Sequence, residues 1–253
     1  MCIRDSKKSV QDKLFSNCEI YEIKKDVLNS PIVFAGFVSP GLVGPLSVGY
    51  IIDKLGMEEI AYIRSRHLPP ATVFMQGRLR HPFRIYANKE RTICAIICEI
   101  TLQIPMEGLY DIISAILNWV EKKGSHEIVI LDGVASTTHD DKAFCAAEED
   151  LCRIMENNGI NMIPQGFVTG VAGGLLNECL MREIQGVTLL VKANDKKPDP
   201  LAAATLVDAV NRAYDMKIDT SELRKGKKKI GADFKELSEK YTEHRKTDSS
   251  MYM

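Results

Sequence analysis

The residues best suited to chemistry lie together between Asp132 and His139, a segment that contains an Asp, a Ser, two Thr and a His. It follows a predicted buried strand, Glu127–Leu131, and open α/β sheets bind ligands where such strands end. These residue types would suit a hydrolase with a serine nucleophile. However, the Gly-x-Ser-x-Gly turn of that class is absent, and a Ser and a His separated by two residues do not define a triad. We therefore assign no catalytic residue.

A structural role explains the same segment. Residues 140–157 are predicted to form a helix, and Thr138 or Asp140 would cap its first turn. The apolar residues of this predicted helix recur at helical spacing; they are Phe144, Leu151, Ile154 and Met155. Both interpretations of the Asp132–His139 segment stay open at this point.

Gly41 and Gly44 form a turn between a predicted strand, Ile32–Phe37, and a predicted helix, Leu46–Leu55. Backbone amides at the start of such a helix can hold a phosphate. The turn has neither the Lys-Ser/Thr of a phosphate-binding P-loop nor the three-glycine dinucleotide fingerprint. Pro45 also removes one of the amides that an anion would need. We favour a structural turn over a ligand site.

Gly170, Gly173 and Gly174 form a second turn, between a predicted strand at Ile163–Val168 and a predicted helix at Leu175–Arg182. Glycine permits a positive φ or a close approach between helix and sheet. No Lys, Arg or acidic residue lies inside this turn, so the structural interpretation is again favoured. The turn nevertheless stays a candidate ligand site, as does Asp132-Gly133.

The seven cysteines do not indicate a metal site. Cys94 and Cys98 lie in an apolar run, Thr92–Ile100, where a spacing of four on a strand places both on one face. A zinc site would need a second pair of ligands at short spacing, and the sequence contains none. Unpaired thiols in this number favour a reducing, cytoplasmic location. We expect no metal and no cofactor.

Charge and hydropathy exclude two classes of partner. The formal net charge is −1, which gives no overall attraction to nucleic acid or to an anionic membrane. No apolar run reaches the roughly 18 residues that a membrane-spanning helix needs. We therefore expect neither a nucleic-acid partner nor a membrane partner.

Strands and helices alternate through the second half of the chain, which predicts an α/β protein with a mostly parallel sheet between two layers of helices. Further strands are predicted at Cys18–Ile23, Glu59–Ile63, Thr72–Met75, Arg84–Ala87, Thr92–Thr101 and Val187–Val191, and further helices at Pro105–Lys123 and Pro200–Tyr214. The turn Asn88–Arg91 is expected to join two antiparallel strands.

Three regions are expected along the chain. Residues 1–15 are predicted to be disordered or non-native, and residues 16–217 to form one α/β domain. Residues 218–253 are rich in charge and are predicted to form a helical extension. Within it, Phe234, Leu237 and Tyr241 have helical spacing and indicate a helix at about residues 232–244.

The sequence ends in Met251-Tyr252-Met253, after a polar stretch. Apolar residues at a solvated terminus gain free energy only when a partner covers them. The pattern matches the hydrophobic–Tyr–any motif with which C-terminal tails dock on the proteasome α-ring. In such docking a pocket takes the Tyr ring, and a cation pairs with the terminal carboxylate.

Three further stretches, in the same order and spacing, resemble the archaeal-type proteasome assembly chaperone family. They are the run from Phe34 to Gly44, Asp132-Gly133 after a strand, and the run from Gly170 to Leu176. The resemblance spans about residues 32–214. It implies a three-layer α/β/α fold related to nucleoside phosphorylases, and homo-oligomers without a cofactor; the C-terminal helical tail is expected from residues 218–253 themselves.

The resemblance also implies a docking protein rather than an enzyme, with proteasome α-subunits or the 20S particle as its partner. Met251, Tyr252 and Met253 would then be the binding residues. The alternative is a small-molecule enzyme of phosphorylase-like or hydrolase-like type. That alternative predicts a pocket joining the Gly41–Gly44 turn to Asp132–His139, with a perturbed titratable group.

Overall fold

A computed structural model describes residues 18–24, 27–75, 77–100, 104–138 and 140–225. The predicted disordered segment at residues 1–15, the predicted helix at 232–244 and the predicted docking residues Met251, Tyr252 and Met253 lie outside these ranges. His139 does so as well. All elements, contacts and cavities named below belong to the described residues.

A nine-stranded sheet forms the centre of the molecule, in the order β1-β3-β6-β7-β2-β8-β11-β9-β10. Its strands are β1 (Cys18–Glu22), β2 (Ile32–Gly36), β3 (Glu58–Ser65), β6 (Phe83–Ala87), β7 (Ile93–Cys98), β8 (Glu127–Ala135), β9 (Ala143–Ala146), β10 (Asn161–Met162) and β11 (Gln185–Ala193). A separate hairpin, β4 (Val73–Met75) and β5 (Arg78–Arg80), lies between β3 and β6 in the chain.

Helices cover both faces of the sheet. They are α1 (Val43–Lys54), α2 (Met106–Lys122), α3 (Glu149–Asn157), α4 (Gly170–Arg182), α5 (Pro200–Tyr214) and the short α6 (Ser221–Arg224). One apolar core joins the sheet to α1, α3, α5 and α6, and a second joins it to α2 and α4. This arrangement confirms the α/β class and the helices on both faces.

The sheet is parallel at its centre, antiparallel beyond it on both sides, and ends in a parallel β9–β10 pair at one edge. Strands β7, β2, β8 and β11 run parallel to one another. Beyond them, β6, β3 and β1 pair antiparallel on one side, and β9 pairs antiparallel with β11 on the other. The observed sheet is therefore mixed, whereas a mostly parallel sheet was expected. The central strands are continuous apolar runs because both of their faces are covered.

The boundaries of several elements follow from local chemistry. The Asp199 side chain accepts a hydrogen bond from the Ala202 N–H at 3.0 Å, and Pro200 occupies the first helical position of α5. Both features favour a helix start. The observed α5, Pro200–Tyr214, has the predicted bounds. The antiparallel pairing of β6 with β7 across residues 88–91 also confirms the prediction.

Two predicted elements are wrong. Residues 140–157 are not one helix, since Ala143–Ala146 forms β9 and the helix begins only at Glu149. Thr138 and Asp140 therefore cap no helix. Ile163–Val168 is not a strand, because β10 ends at Met162 and the following residues have no regular structure. In the first place, pairing with the distant strand β11 decides the conformation more than the local pattern does.

The start of the predicted C-terminal extension packs on the α/β body. Ile218 and Leu223 are buried in the core formed with α1 and α5. The Tyr50 hydroxyl donates a hydrogen bond to the Asp219 carbonyl at 2.6 Å, and Asn211 exchanges two hydrogen bonds with the backbone of Ile218. Residues 218–225 are thus tied to the body.

Cys94 and Cys98 are both buried in the core beneath α2, as their spacing predicted. Burial raises the pKa of each thiol to about 12, which keeps it protonated and unreactive. Among the described residues, no three His, Cys, Asp or Glu side chains are grouped to hold a metal ion. Within the same residues, no helix is long and apolar enough to cross a membrane.

Candidate binding cleft

An open cleft of about 1320 Å³ lies at the carboxyl end of the central strands and extends beside α4. The residues that follow β2, the end of β8 and the first turn of α4 all contribute to it. Of the predicted site residues it includes Asp132, Gly133, Gly170 and Gly173, and it also includes Ser39 and Pro40, which precede the first glycine turn. The structure therefore brings Asp132-Gly133 and the second glycine turn together, whereas the glycines of the first turn do not line the cleft.

The first glycine turn is closed by its surroundings. Gly41 has a φ of +66°, and a Cβ added there would lie 2.9 Å from the Cβ of Asp199. A Cβ on Gly44 would lie 2.6 Å from the Phe37 carbonyl oxygen and 2.7 Å from that of Leu131. Such distances show that α1 packs directly on β2 and β8 through glycine.

This closed turn does not offer a phosphate cradle. The Gly44 N–H already donates a weak hydrogen bond to the Ser39 hydroxyl, at 3.4 Å. Neither Gly41 nor Gly44 lines the cleft. The contacts support the structural interpretation of this turn.

Asp132 and Gly133 lie within β8, which is longer than the predicted strand. A Cβ on Gly133 would lie 2.6 Å from the Pro40 carbonyl oxygen, so glycine lets the first turn cross β8 closely. Burial raises the pKa of Asp132, and hydrogen bonds from the Gly133 N–H and the Ser39 hydroxyl oppose only part of that rise. Asp132 is thus a perturbed carboxyl group at the cleft.

The second glycine turn forms the start of α4 and borders the cleft. Gly170 has a φ of +68° with open space around it, and a Cβ on Gly173 would lie 2.1 Å from the Val168 carbonyl oxygen. Gly174 faces the Ile113 side chain instead and does not line the cleft. Glycine is required here mainly because the preceding loop folds closely over the helix.

Ser136 and Thr138 form a small local turn at the end of β8. The Ser136 hydroxyl donates a hydrogen bond to the Thr138 carbonyl at 2.9 Å and accepts one from the Thr138 N–H at 3.1 Å. Asp140 pairs with Lys192 at 2.8 Å. These contacts account for Ser136, Thr138 and Asp140 without a nucleophile.

The chain matches a known protein family over most of its length. Residues 33–238 match the PAC2 family. The chain belongs to the PAC2 family. An uncharacterized protein of Methanocaldococcus jannaschii is 25% identical over 229 residues, which is 90% of this chain and 94% of that protein.

Solved structures share this PAC2 fold. A protein of unknown function from Thermoplasma acidophilum is 33% identical, with a TM-score of 0.81 over 96% of each chain. PbaA of Pyrococcus furiosus, described as an archaeal homolog of proteasome-assembly chaperone, is 24% identical with a TM-score of 0.78 over 89% of this chain and 99% of its own. PbaB of the same organism, described as an archaeal proteasome activator, is 21% identical with a TM-score of 0.73 over 84% and 95%.

The charged side chains in the described lining of the PAC2 cleft are all acidic. Its described lining carries two carboxyl groups, Asp132 and Glu148, and no Lys, Arg or His. Most of the remaining lining is apolar side chain or backbone. Such a site suits an apolar occupant that brings its own positive charge, and it does not suit an anionic substrate.

Sequence reasoning missed two residues that line this cleft, Glu148 and Phe167. Phe167 lines it and is 91% exposed, although the sequence analysis placed it in a strand. Glu148 was predicted to lie inside a helix, yet it directly precedes α3 and lines the cleft. The Gly166-Phe167 pair after Pro164 is the signal that indicates a loop rather than a strand.

Proposed function

We propose that this chain is a proteasome assembly chaperone or proteasome-binding protein, and that it docks on the 20S α-ring through its C-terminal Met251, Tyr252 and Met253. The observation that carries the proposal is PAC2 membership together with the fold shared with PbaA and PbaB. In this proposal the protein is cytoplasmic and homo-oligomeric, and it is not an enzyme. The phosphorylase-like relationship of the fold stays a prediction.

The side chains in the described lining of the cleft favour docking over catalysis. A general base must lie within hydrogen-bond reach of the nucleophile that it activates. Ser136 instead bonds within its own turn, and the described lining provides no His or Lys. A docking protein needs no such pair.

A self-associated chaperone would display several tails towards one ring. Linked contacts of this kind raise the overall avidity by factors of about 10² to 10⁴ over a single tail. The tail motif is then sufficient even where each pocket binds weakly. This arrangement gives the α/β body a role as a platform that positions the tails.

The test is a pull-down of 20S particles with the full chain and with a chain that lacks Met251 to Met253. We expect binding by the full chain and its loss on truncation. Tyr252→Ala should weaken binding at least about 10-fold, because it removes a buried aromatic anchor. Thr247→Ala, in the polar residues before the motif, is the matched control. No binding by the full chain would refute the proposal.

A second candidate function is the small-molecule enzyme. One observation favours it: a cleft joins Ser39 and Pro40 to Asp132, whose pKa is raised by burial. The pocket predicted for that alternative joined the Gly41–Gly44 turn to Asp132–His139, whereas neither Gly41 nor Gly44 lines this cleft. The enzyme would be favoured over docking by two results together. The full chain would turn over a small molecule without binding 20S particles, and Asp132→Asn would abolish that turnover.

A further inference from the structure

We propose that the β4–β5 hairpin of one copy of this chain docks into the open cleft of a second copy. The inference deepens the self-association in the proposed function, and it does not depend on proteasome binding. It joins two features that the docking tail leaves unexplained: an apolar hairpin in solvent and a large apolar cleft with only carboxyl groups at its charged positions.

The hairpin presents an apolar pair to solvent. Phe74 and Leu79 are directly opposed across the two strands, and they are 66% and 77% exposed. Val73, on the other face of the hairpin, is buried against the body and anchors it. Covering an exposed cross-strand pair of this size with another apolar surface removes its apolar area from water, which is favourable.

The hairpin region is basic. Residues 60–88 contain five arginines and two histidines but no Asp, Glu or Lys. Arg80 pairs with Glu59, and Arg84 pairs with the buried Glu99. Arg66 and Arg78 are exposed, and no ion pair joins either of them to a carboxylate among the described residues. They are available to a partner that carries negative charge.

The cleft has the complementary character. Glu148 is exposed and lines the cleft, and it is followed by the exposed Glu149 and Asp150 at the start of α3. Arg153 neutralises only part of this charge through its pairs with Glu149 and Asp150. Apolar lining from Phe167 and Leu180, which are 91% and 61% exposed, faces the same space. An apolar hairpin flanked by arginines fits these properties.

The size of the cleft favours a protein segment over a small ligand. Its volume of about 1320 Å³ exceeds the roughly 300–1,000 Å³ typical of small-molecule sites. The terminal carboxylate of the chain's own tail would meet Asp132 and Glu148 without a described cation to pair with. The hairpin of a second copy brings both the apolar pair and the positive charge that the cleft lacks.

The first experiment measures self-association by sedimentation velocity. We expect the intact chain to form oligomers and the double variant Phe74→Ser, Leu79→Ser to dissociate, with a self-dissociation constant raised at least about 30-fold. Met181→Ser removes a side chain that is 71% exposed and lies outside both surfaces, so it is the matched control. A chain lacking residues 226–253 should associate like the intact chain.

Charge reversal tests which two surfaces meet. Arg78→Glu and Glu148→Arg should each weaken association, because like charges then face each other across the contact. Mixing the two variants should restore oligomers, since each supplies the complement that the other lacks. Arg212→Glu, an exposed position on α5, should change nothing.

Three results would each overturn the proposal: an intact chain that is monomeric at its highest soluble concentration, a hairpin variant that keeps the parent's size, or a mixture of charge variants that stays dissociated. Dissociation caused only by loss of residues 226–253 would assign self-association to the tail instead. A parallel 20S pull-down separates this inference from the proposed function. Hairpin variants that still bind 20S particles as monomers would leave docking intact.

Discussion

The two glycine-rich turns have similar sequences, but their surroundings differ. Each precedes a helix, and each contains a glycine in the helical first turn, Gly44 in α1 and Gly173 in α4. Gly44 is enclosed by the backbone of two paired strands. Gly173 meets only the backbone of an irregular loop. Glycine motifs alone therefore do not distinguish a closed packing contact from the border of a binding cleft.

The difference follows from what covers each turn. The first turn is held between β8 and the segment before α5, where the Asp199 N–H donates a hydrogen bond to the Gly41 carbonyl at 2.8 Å. The second turn has the open cleft on one side, and nothing lies within 4 Å of a Cβ on Gly170. Function is thus expected at the second turn and stability at the first.

The largest effect is expected from Gly44→Ala. The new Cβ would meet the Leu131 carbonyl oxygen in β8 and the Phe37 carbonyl oxygen directly after β2, so α1 would have to move away from both strands. We expect a loss of about 3 kcal/mol in the free energy of unfolding, because overpacking against rigid backbone costs about 1–3 kcal/mol and sometimes more. Urea denaturation followed by circular dichroism measures it. A smaller loss than that of Gly173→Ala would contradict the view that the first turn is the more rigidly packed of the two.

A smaller effect is expected from Gly173→Ala. Its neighbour, the Val168 carbonyl, belongs to a loop without regular structure, so the loop can shift to relieve the contact. We expect a loss of about 1 kcal/mol, since a gain in helix propensity of about 1 kcal/mol offsets part of the strain. Gly166→Ala, with open space around its Cβ, is the control. Equal losses at Gly44 and Gly173 would mean that the two turns are equally rigid.

Much of the fold was predictable from the sequence because its central elements have strong local patterns. The helix Pro200–Tyr214 has a proline at its first position and an Asp cap, and β2, β8 and β11 contain continuous apolar runs. These signals depend on neighbours in the chain. They remain valid wherever the element packs.

The missed elements depend on distant contacts. Ala143–Ala146 is four residues long and forms a strand because β11 offers it an antiparallel edge. Phe144 therefore belongs to no helical stripe, and the buried residues of α3 are Leu151, Cys152 and Met155. The hairpin partner β5 was not predicted either, since a three-residue basic strand carries almost no periodicity.

The candidate site was only partly predictable. The sequence identified Asp132, Gly133 and Gly170, which do meet at one cleft. It could not show that Gly41 and Gly44 face inward, because a glycine turn has the same sequence in either case. Exposure of Phe167, Phe74 and Leu79 depends on which elements cover them, and only tertiary structure determines that.

The smallest effect on the free energy of unfolding is expected from Asp132→Asn. Asp132 lies between the closed first turn and the cleft. Burial raises the pKa of Asp132 above its ordinary value of 3.8, so the folded chain binds more protons than the unfolded chain between those two pKa values. The free energy of unfolding therefore decreases as the pH rises through that window. Asn keeps the acceptor for the Gly133 N–H but cannot ionise.

We accordingly expect Asp132→Asn to be more stable, relative to the parent, at pH 7 than at pH 4. Urea denaturation at both pH values measures this difference, and Asp195→Asn at an exposed position controls for the loss of a carboxylate. A variant whose relative stability is the same at both values would show that Asp132 is hydrated in solution. In that case the Asp132 carboxyl would be exposed to the water of the open cleft and would not be packed against the first turn.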